Sequence, residues 1–221
     1  MEKSKKTRIE QKQERMQELK QFDNSFRNQY KYIIGIDEAG RGPLAGPVVV
    51  AGVIFDENIE ILGIDDSKKI SEKRREELCE EILQKALAYK IVEVDAEKID
   101  EINILEATKY GVCQILNNIN IKPDLVLVDA LKDLNITEKY ISVIKGDATS
   151  YSIAAASILA KVYRDRKMKE IAKIYPEYEF EKHKGYGTKL HYEKLKMYGL
   201  SDIHRKSFIH LDEQGNRIKL W

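Results

Sequence analysis

Four carboxylates draw attention by where they fall along the chain. Asp37 and Glu38 end the apolar run Ile33-Ile34-Gly35-Ile36, Asp129 ends Leu125-Val126-Leu127-Val128, and Asp147 follows a third β-rich run through Lys145-Gly146. Taken singly, each is an ordinary turn residue, and Asp147 can simply cap the helix that follows. Taken together they can do chemistry. If the runs lie side by side as strands, the acids converge at one sheet edge, where carboxylates repel one another unless protonated or bridged by cations. Oxygen-only ligands with open positions suit Mg2+ or Mn2+. Asp37, Glu38, Asp129 and Asp147 therefore form the candidate metal and catalytic set.

Directly after the first pair comes Ala39-Gly40-Arg41-Gly42-Pro43-Leu44-Ala45-Gly46-Pro47. Composition alone makes this a Gly/Pro turn. An arginine enclosed by glycines adds something more, because backbone N–H groups can approach an anion closely while the guanidinium holds a phosphate. Further along, all four histidines fall between His183 and His210. Lys182, Lys184, Lys189, Lys194, Lys196, Arg205 and Lys206 stand among them with Tyr186, Tyr192, Tyr198 and Phe208. Cations for phosphates interleaved with rings for stacking describe a nucleic-acid surface. The bland alternatives are core packing for Tyr192 and Tyr198 and structural roles for His183 and His204. Ser157, Lys161, Arg164 and Asp165 share one helical face by spacing. Lys161 and Arg164 can clamp the strand being cut, or Lys161 can make a plain ion pair with Asp165.

The elements that must position these residues follow from pattern. Residues 32–55 read as two β-rich runs joined by the turn, an antiparallel hairpin. A further strand is expected over 59–64. A helix capped by Ser71 runs to about residue 86 with Arg74 and Arg75 on its exposed side, and a strand covers 88–94. Helical patterns over 96–101 and 104–118 precede the apolar run 125–129, which suits a strand buried on both faces of a parallel pair. A strand near 140–144, a long helix from about 149 to 174 ended by Pro176, and a helix near 190–198 complete the pattern. The fold class is α/β with a mixed sheet.

Bulk properties bound the reading. With 221 residues and 43% hydrophobic residues, the chain has material for one sizeable core. The formal net charge of +1 points to no partner, so charge distribution decides. No apolar run suits a secretory signal or a membrane span, and a cytoplasmic protein without membrane association is expected. Cys79 and Cys113 form no CxxC pattern and are read as small apolar residues on helices. The division expected is a charged helical or partly disordered arm over 1–30, a catalytic domain over 31–176, and a basic helical extension over 177–221 that contacts substrate.

The run GIDEAGRGPLAGPVV at residues 35–49 resembles the opening signature of ribonuclease HII. The resemblance continues in Asp66-Ser67-Lys68-Lys69, Val128-Asp129, Lys145-Gly146-Asp147, the run SIAAASILAKVYRD at 152–165, KGYGT at 184–188 and HRKSF at 204–208. These segments occur in the family's order. The resemblance implies a ribonuclease H-like fold with a five-stranded mixed sheet flanked by helices and a small helical C-terminal extension. It assigns Asp37, Glu38, Asp129 and Asp147 to two metal ions about 4 Å apart, with Asp37 bridging, Glu38 and Asp129 on one ion and Asp147 on the other. It gives Gly40, Arg41 and Gly42 contact with the 2′-hydroxyl and phosphates at the cut, and Tyr186 stacking on the sugar. Residues 1–30 exceed the family's minimal form. The expected activity is endonucleolytic hydrolysis of RNA in RNA/DNA hybrids and at ribonucleotides embedded in duplex DNA, by a monomer, leaving 5′-phosphate and 3′-hydroxyl ends. Two rival readings are another phosphoryl-transfer enzyme or exonuclease on the same scaffold, and a nucleic-acid-binding protein without catalysis.

Overall fold

In the computed structural model, residues 7–210 and Asp212 are described; what the sequence led us to expect of residues 1–6, 211 and 213–221 lies outside them. Five strands form one mixed sheet: β1 (Ile33–Ala39), β2 (Val48–Ile54), β3 (Ala88–Val94), β4 (Leu125–Asp129) and β5 (Lys139–Val143), in the spatial order β3-β2-β1-β4-β5. β1 pairs antiparallel with β2, and β2 with β3, as a hairpin and its extension. β1 and β4 are parallel, as are β4 and β5. Their carboxyl ends therefore lie together, where an α/β sheet opens its crevice.

Helices α1 (Arg8–Asn24), α2 (Glu72–Lys85), α3 (Ala96–Asn118) and α4 (Tyr151–Ile174) flank the sheet, and α5 (Phe180–His183) and α6 (Lys189–Tyr198) pack beyond it against α4 and the turn after β1. Alternation along β2 sorts its two faces, as the strand period of two requires. Val49, Ala51 and Val53 join α1, α2 and α4 in one core, while Val50 and Ile54 join Val112 and Ile115 of α3 in the other. The small residues of α4 let it lie directly on β1. A Cβ at Gly35 would come within 2.2 Å of the backbone of Ser152, so only glycine admits so close an approach. That contact fixes where α4 begins, and hence where the loop carrying Asp147 must run.

Element bounds agree closely with the pattern, including the Ser71 cap of α2 and a break in α3 at Asn103, which has φ 66° and separates the two expected helical stretches. Three expectations are corrected. Residues 59–64 form no strand: Ile61 and Ile64 are buried in a coil segment, and the Tyr151 hydroxyl accepts the Ile61 amide. Arg75 does not face solvent; it donates to the carbonyls of Ser67 and Ile70 and so ties the 66–70 segment to α2. The arm expected over 1–30 as charged helix or partly disordered chain forms a helix over Arg8–Asn24 with one side engaged. Met16 and Leu19 are buried in the core shared with α4, and Phe22 and Phe26 pack on Leu125 and Ile153. No helix among the described residues is long and apolar enough to cross a membrane.

Candidate active site

Strand register brings the acids together. Ile36 stands opposite Val128 in the parallel pair, so Asp37 and Asp129 leave the sheet side by side on the same face. β5 pairs Val143 with Asp129, and the chain then turns through Lys145, at φ 55°, into a single 3-10 turn over Gly146–Ala148. One carboxylate oxygen from each of Asp37, Asp129 and Asp147 lies within 4.8 Å of the other two. Asp147 does not cap α4, because Ser150 does. Glu38 falls outside that group. Successive side chains on a strand point to opposite faces, and the Glu38 carboxylate turns instead to Arg41, 3.4 Å away.

The electrostatics are those of acids held together against their charge. Burial, followed by the charges of Glu38 and Asp129, raises Asp37 well above the ordinary carboxylate range, against hydrogen bonds from the Glu38 amide and the Ser157 hydroxyl. Burial also raises Glu38, where Arg41 pulls down and Asp129 pushes up. Asp129 is raised by burial and by Asp147, although its Oδ1 accepts the Gly146 amide at 2.6 Å. An oxygen-only cluster whose charged form is disfavoured in its own fold fits a hard divalent cation, which would offset the repulsion.

The structure adds partners that sequence reasoning assigned no role. Lys68 Nζ lies 3.6 Å from Asp147 Oδ2, and although burial opposes its charge, Asp147, Asp66 and Asp37 raise its pKa. Ser67 and Ser157 share a hydrogen bond of 2.8 Å beneath Asp37. From α1, Arg15 donates to the carbonyl of Ala148 at 2.7 Å, and the buried Asp23 accepts from the Ser150 hydroxyl and the Ser152 amide. The first helix thereby braces the segment that carries Asp147. Lys68 could have been found, since it lies in the Asp66-Ser67-Lys68-Lys69 motif; nothing in the charged run of 8–24 marked Arg15 or Asp23.

Beside the acids, Gly40 is buried while Arg41 and Gly42 are exposed. Gly40 has φ +97°, and a Cβ there would come within 2.0 Å of Arg164 Nε, so both conformation and space demand glycine. The expected strand clamp on α4 takes another form. Arg164 is 1% exposed and donates to the carbonyls of Pro47, Ala45 and Lys184, so it faces the protein's own backbone. Lys161 makes the plain alternative, an ion pair of 2.6 Å with Asp165. Tyr186 is 43% exposed and lies over the Arg164 guanidinium, 5.6 Å from its ring centroid. His183, His191 and His204 are buried and contact one another through ring stacking and a hydrogen bond, which makes them structural. Tyr192 packs in the core formed with α4, and Tyr198 meets Tyr178 edge-on.

Known proteins similar to this chain share one family. A family model described as ribonuclease HII matches residues 34–211. The ribonuclease HII of Caldicellulosiruptor bescii is 54% identical over 81% of this chain and 87% of its own length. That of Bacillus cytotoxicus is 49% identical over 92% of this chain and 78% of its own. Among solved structures, ribonuclease H2 from Pyrococcus horikoshii superposes with a TM-score of 0.69 at 32% identity, covering 80% of this chain and 93% of that one.

Proposed function

The chain belongs to the ribonuclease HII family and is a divalent-metal-dependent endonuclease of the ribonuclease H type, and from that premise we propose that it cuts the RNA strand of RNA/DNA hybrids and the duplex at single embedded ribonucleotides. The observation that carries the reading is the meeting of Asp37, Asp129 and Asp147 within 4.8 Å, next to the exposed turn at Arg41 and Gly42.

Asp37, Asp129 and Asp147 are assigned as cation ligands, with Glu38 as the fourth. Glu38 is held by Arg41 at 3.4 Å, and a scissile phosphate that takes Arg41 would free this carboxylate to join them. Two divalent cations, Mg2+ or Mn2+, would supply the Lewis acidity that activates a water for in-line attack and stabilises the leaving 3′-oxygen. The protein's own residues do the rest. Hydrogen bonds from the Glu38 amide and the Ser157 hydroxyl orient Asp37. Lys68 balances the charge at Asp147. The amides of the Gly40-Arg41-Gly42 turn would sense the 2′-hydroxyl, the group that separates RNA from DNA at a given position. Tyr186 would stack on the neighbouring sugar. Arg164 supports both the turn and this ring, and Lys161 lies on the same face of α4 at the rim. All these groups come from one chain, so a monomer suffices, and the products are 5′-phosphate and 3′-hydroxyl ends.

A labelled DNA duplex carrying one ribonucleotide tests the reading. Cleavage on the 5′ side of, or at, the ribonucleotide only when Mg2+ or Mn2+ is added, with the all-DNA duplex intact, is expected; equal cutting of both duplexes would refute it.

A further inference from the structure

The turn that bears Arg41 and Gly42 is held from beneath by an arginine far away in sequence. Arg205, in the extension, is fully buried, with 0% exposure. Its Nη2 donates to the Gly40 carbonyl at 2.7 Å, its Nη1 to the Arg41 carbonyl at 2.9 Å, and its Nε and Nη2 to the Gly46 carbonyl at 3.0 and 2.8 Å. Backbone bonds stitch the same two segments: Arg205 to Leu44, Gly46 to Ile203 and Leu44 to Gly185, each 2.8 Å. Phe208 lies over the guanidinium, 5.2 Å from its ring centroid.

A trans peptide sets C=O and N–H on opposite sides. Carbonyls of Gly40 and Arg41 drawn inward to Arg205 therefore send the amides of Arg41 and Gly42 outward. Those two residues are exposed, and among the described residues neither amide donates a backbone hydrogen bond. A turn containing Gly40, Gly42 and Gly46 has no intrinsic reason to keep that arrangement. The rigid guanidinium fork fixes three carbonyls at once, which an ammonium cannot do.

We propose that Arg205 is a positioning residue for ribose selectivity: it aims the Arg41 and Gly42 amides at the 2′-hydroxyl and adjoining phosphate of the substrate. The proposal rests on the function assigned above and deepens it. The charge distribution agrees. Among the described residues, neither Arg205 nor Arg164 forms an ion pair with a carboxylate, and their partners are backbone carbonyls. Burial and then the charge of Arg164 bring the Arg205 pKa down to about 9. Two buried cations under one turn leave its outer surface attractive to an anion.

The test is the binding of two duplexes of one sequence, all-DNA and with a single ribonucleotide, by fluorescence anisotropy with Ca2+ in place of Mg2+ to slow hydrolysis. Arg205→Lys keeps the charge and loses the fork. The preference of the wild type for the ribonucleotide duplex should shrink at least about five-fold, with the affinity for the all-DNA duplex falling by less because only the phosphate contact is shared. A purely structural role lowers both affinities together through the active fraction, and that outcome, or an unchanged preference, overturns the proposal. If Arg205→Lys does not fold, Phe208→Ala loosens the same guanidinium and should reduce the preference about two-fold; an unchanged preference there is equally contrary. A wild type that binds both duplexes alike removes the functional reading itself and this proposal with it.

Discussion

Replacing His191 by glutamine should flatten the acid sensitivity of the fold, and the size of the effect can be worked from the histidine stack. His191 and His183 rings stack at 4.4 Å, and His191 Nε2 meets His204 Nε2 at 3.0 Å. His204 Nδ1 accepts the Ser201 amide at 2.9 Å, so its proton sits on Nε2 and points at His191. His191 must then accept at Nε2 and donate from Nδ1 to the Tyr186 carbonyl, 3.0 Å away. A second proton on either ring would set two N–H groups face to face. Burial, with His183 adding to it, lowers His191 to about 4, and burial is likewise the main cause that lowers His204 to about 4.

The folded state thus binds fewer protons than the unfolded chain, whose histidines titrate near 6.5. The stability these rings contribute is present above about pH 6.5 and is lost as pH falls toward 4. At about pH 5 the loss is roughly 2 kcal/mol per ring, and the contact between the rings makes about 2–4 kcal/mol a fair range for the pair. For a chain of this size that corresponds to a fall in Tm of roughly 8 °C between about pH 7.5 and about pH 5. Asp23, Asp37, Glu38 and Asp129 are raised by burial and act in the opposite sense. The informative quantity is therefore the difference between wild type and His191→Gln, each melted at both pH values by circular dichroism. The variant should lose about half of the histidine-driven fall. An identical pH dependence in the two proteins would show that the stack does not resist protonation, and the reasoning would fail.

Other substitutions read other parts of the site. Gly42→Ala should leave Tm within about 1 °C, because an added Cβ meets nothing within 4 Å, yet lower kcat/KM about ten-fold by filling the space a nucleic-acid backbone needs; normal kinetics would mean the turn is not approached. Asp37→Asn should abolish cleavage, and in the absence of divalent cation it should raise Tm by a few degrees, since it removes the charge that burial and its neighbours disfavour. Full activity in that variant would remove Asp37 from the cation site. Asp23→Ala leaves the Ser150 hydroxyl and Ser152 amide without their acceptor and should cost about 1–3 kcal/mol in denaturant unfolding. It should also raise the Mg2+ concentration needed for half-maximal rate, because the segment carrying Asp147 loses its brace.

Much of this arrangement is legible in sequence where local pattern and tertiary placement agree. Apolar runs ending in acid marked β1 and β4 because a strand buried on both faces must be apolar until it reaches the crevice. The glycine-arginine turn was visible because at Gly40 both conformation and space demand glycine. Residues 59–64 misled for a physical reason: their β-branched side chains are buried, but in a coil segment beneath α2 and α4, and Tyr151 supplies the hydrogen bond that a neighbouring strand would have given. The packing of α1 and the turn after it was hidden because Met16, Leu19, Phe22 and Phe26 are few among many charges. Arg164 and Arg205 were legible only as charges. Their partners are carbonyls more than a hundred positions away for the turn, and no local pattern carries that information.

Diffraction from a crystal soaked in Mn2+, with anomalous differences at the manganese edge, tests most directly whether acids brought together by β1, β4 and the loop after β5 hold the cation. Anomalous density bounded by the carboxylates of Asp37, Asp129 and Asp147 is expected. Manganese bound elsewhere on the protein, or an Asp147 turned away from an ion held by the other two, would contradict it.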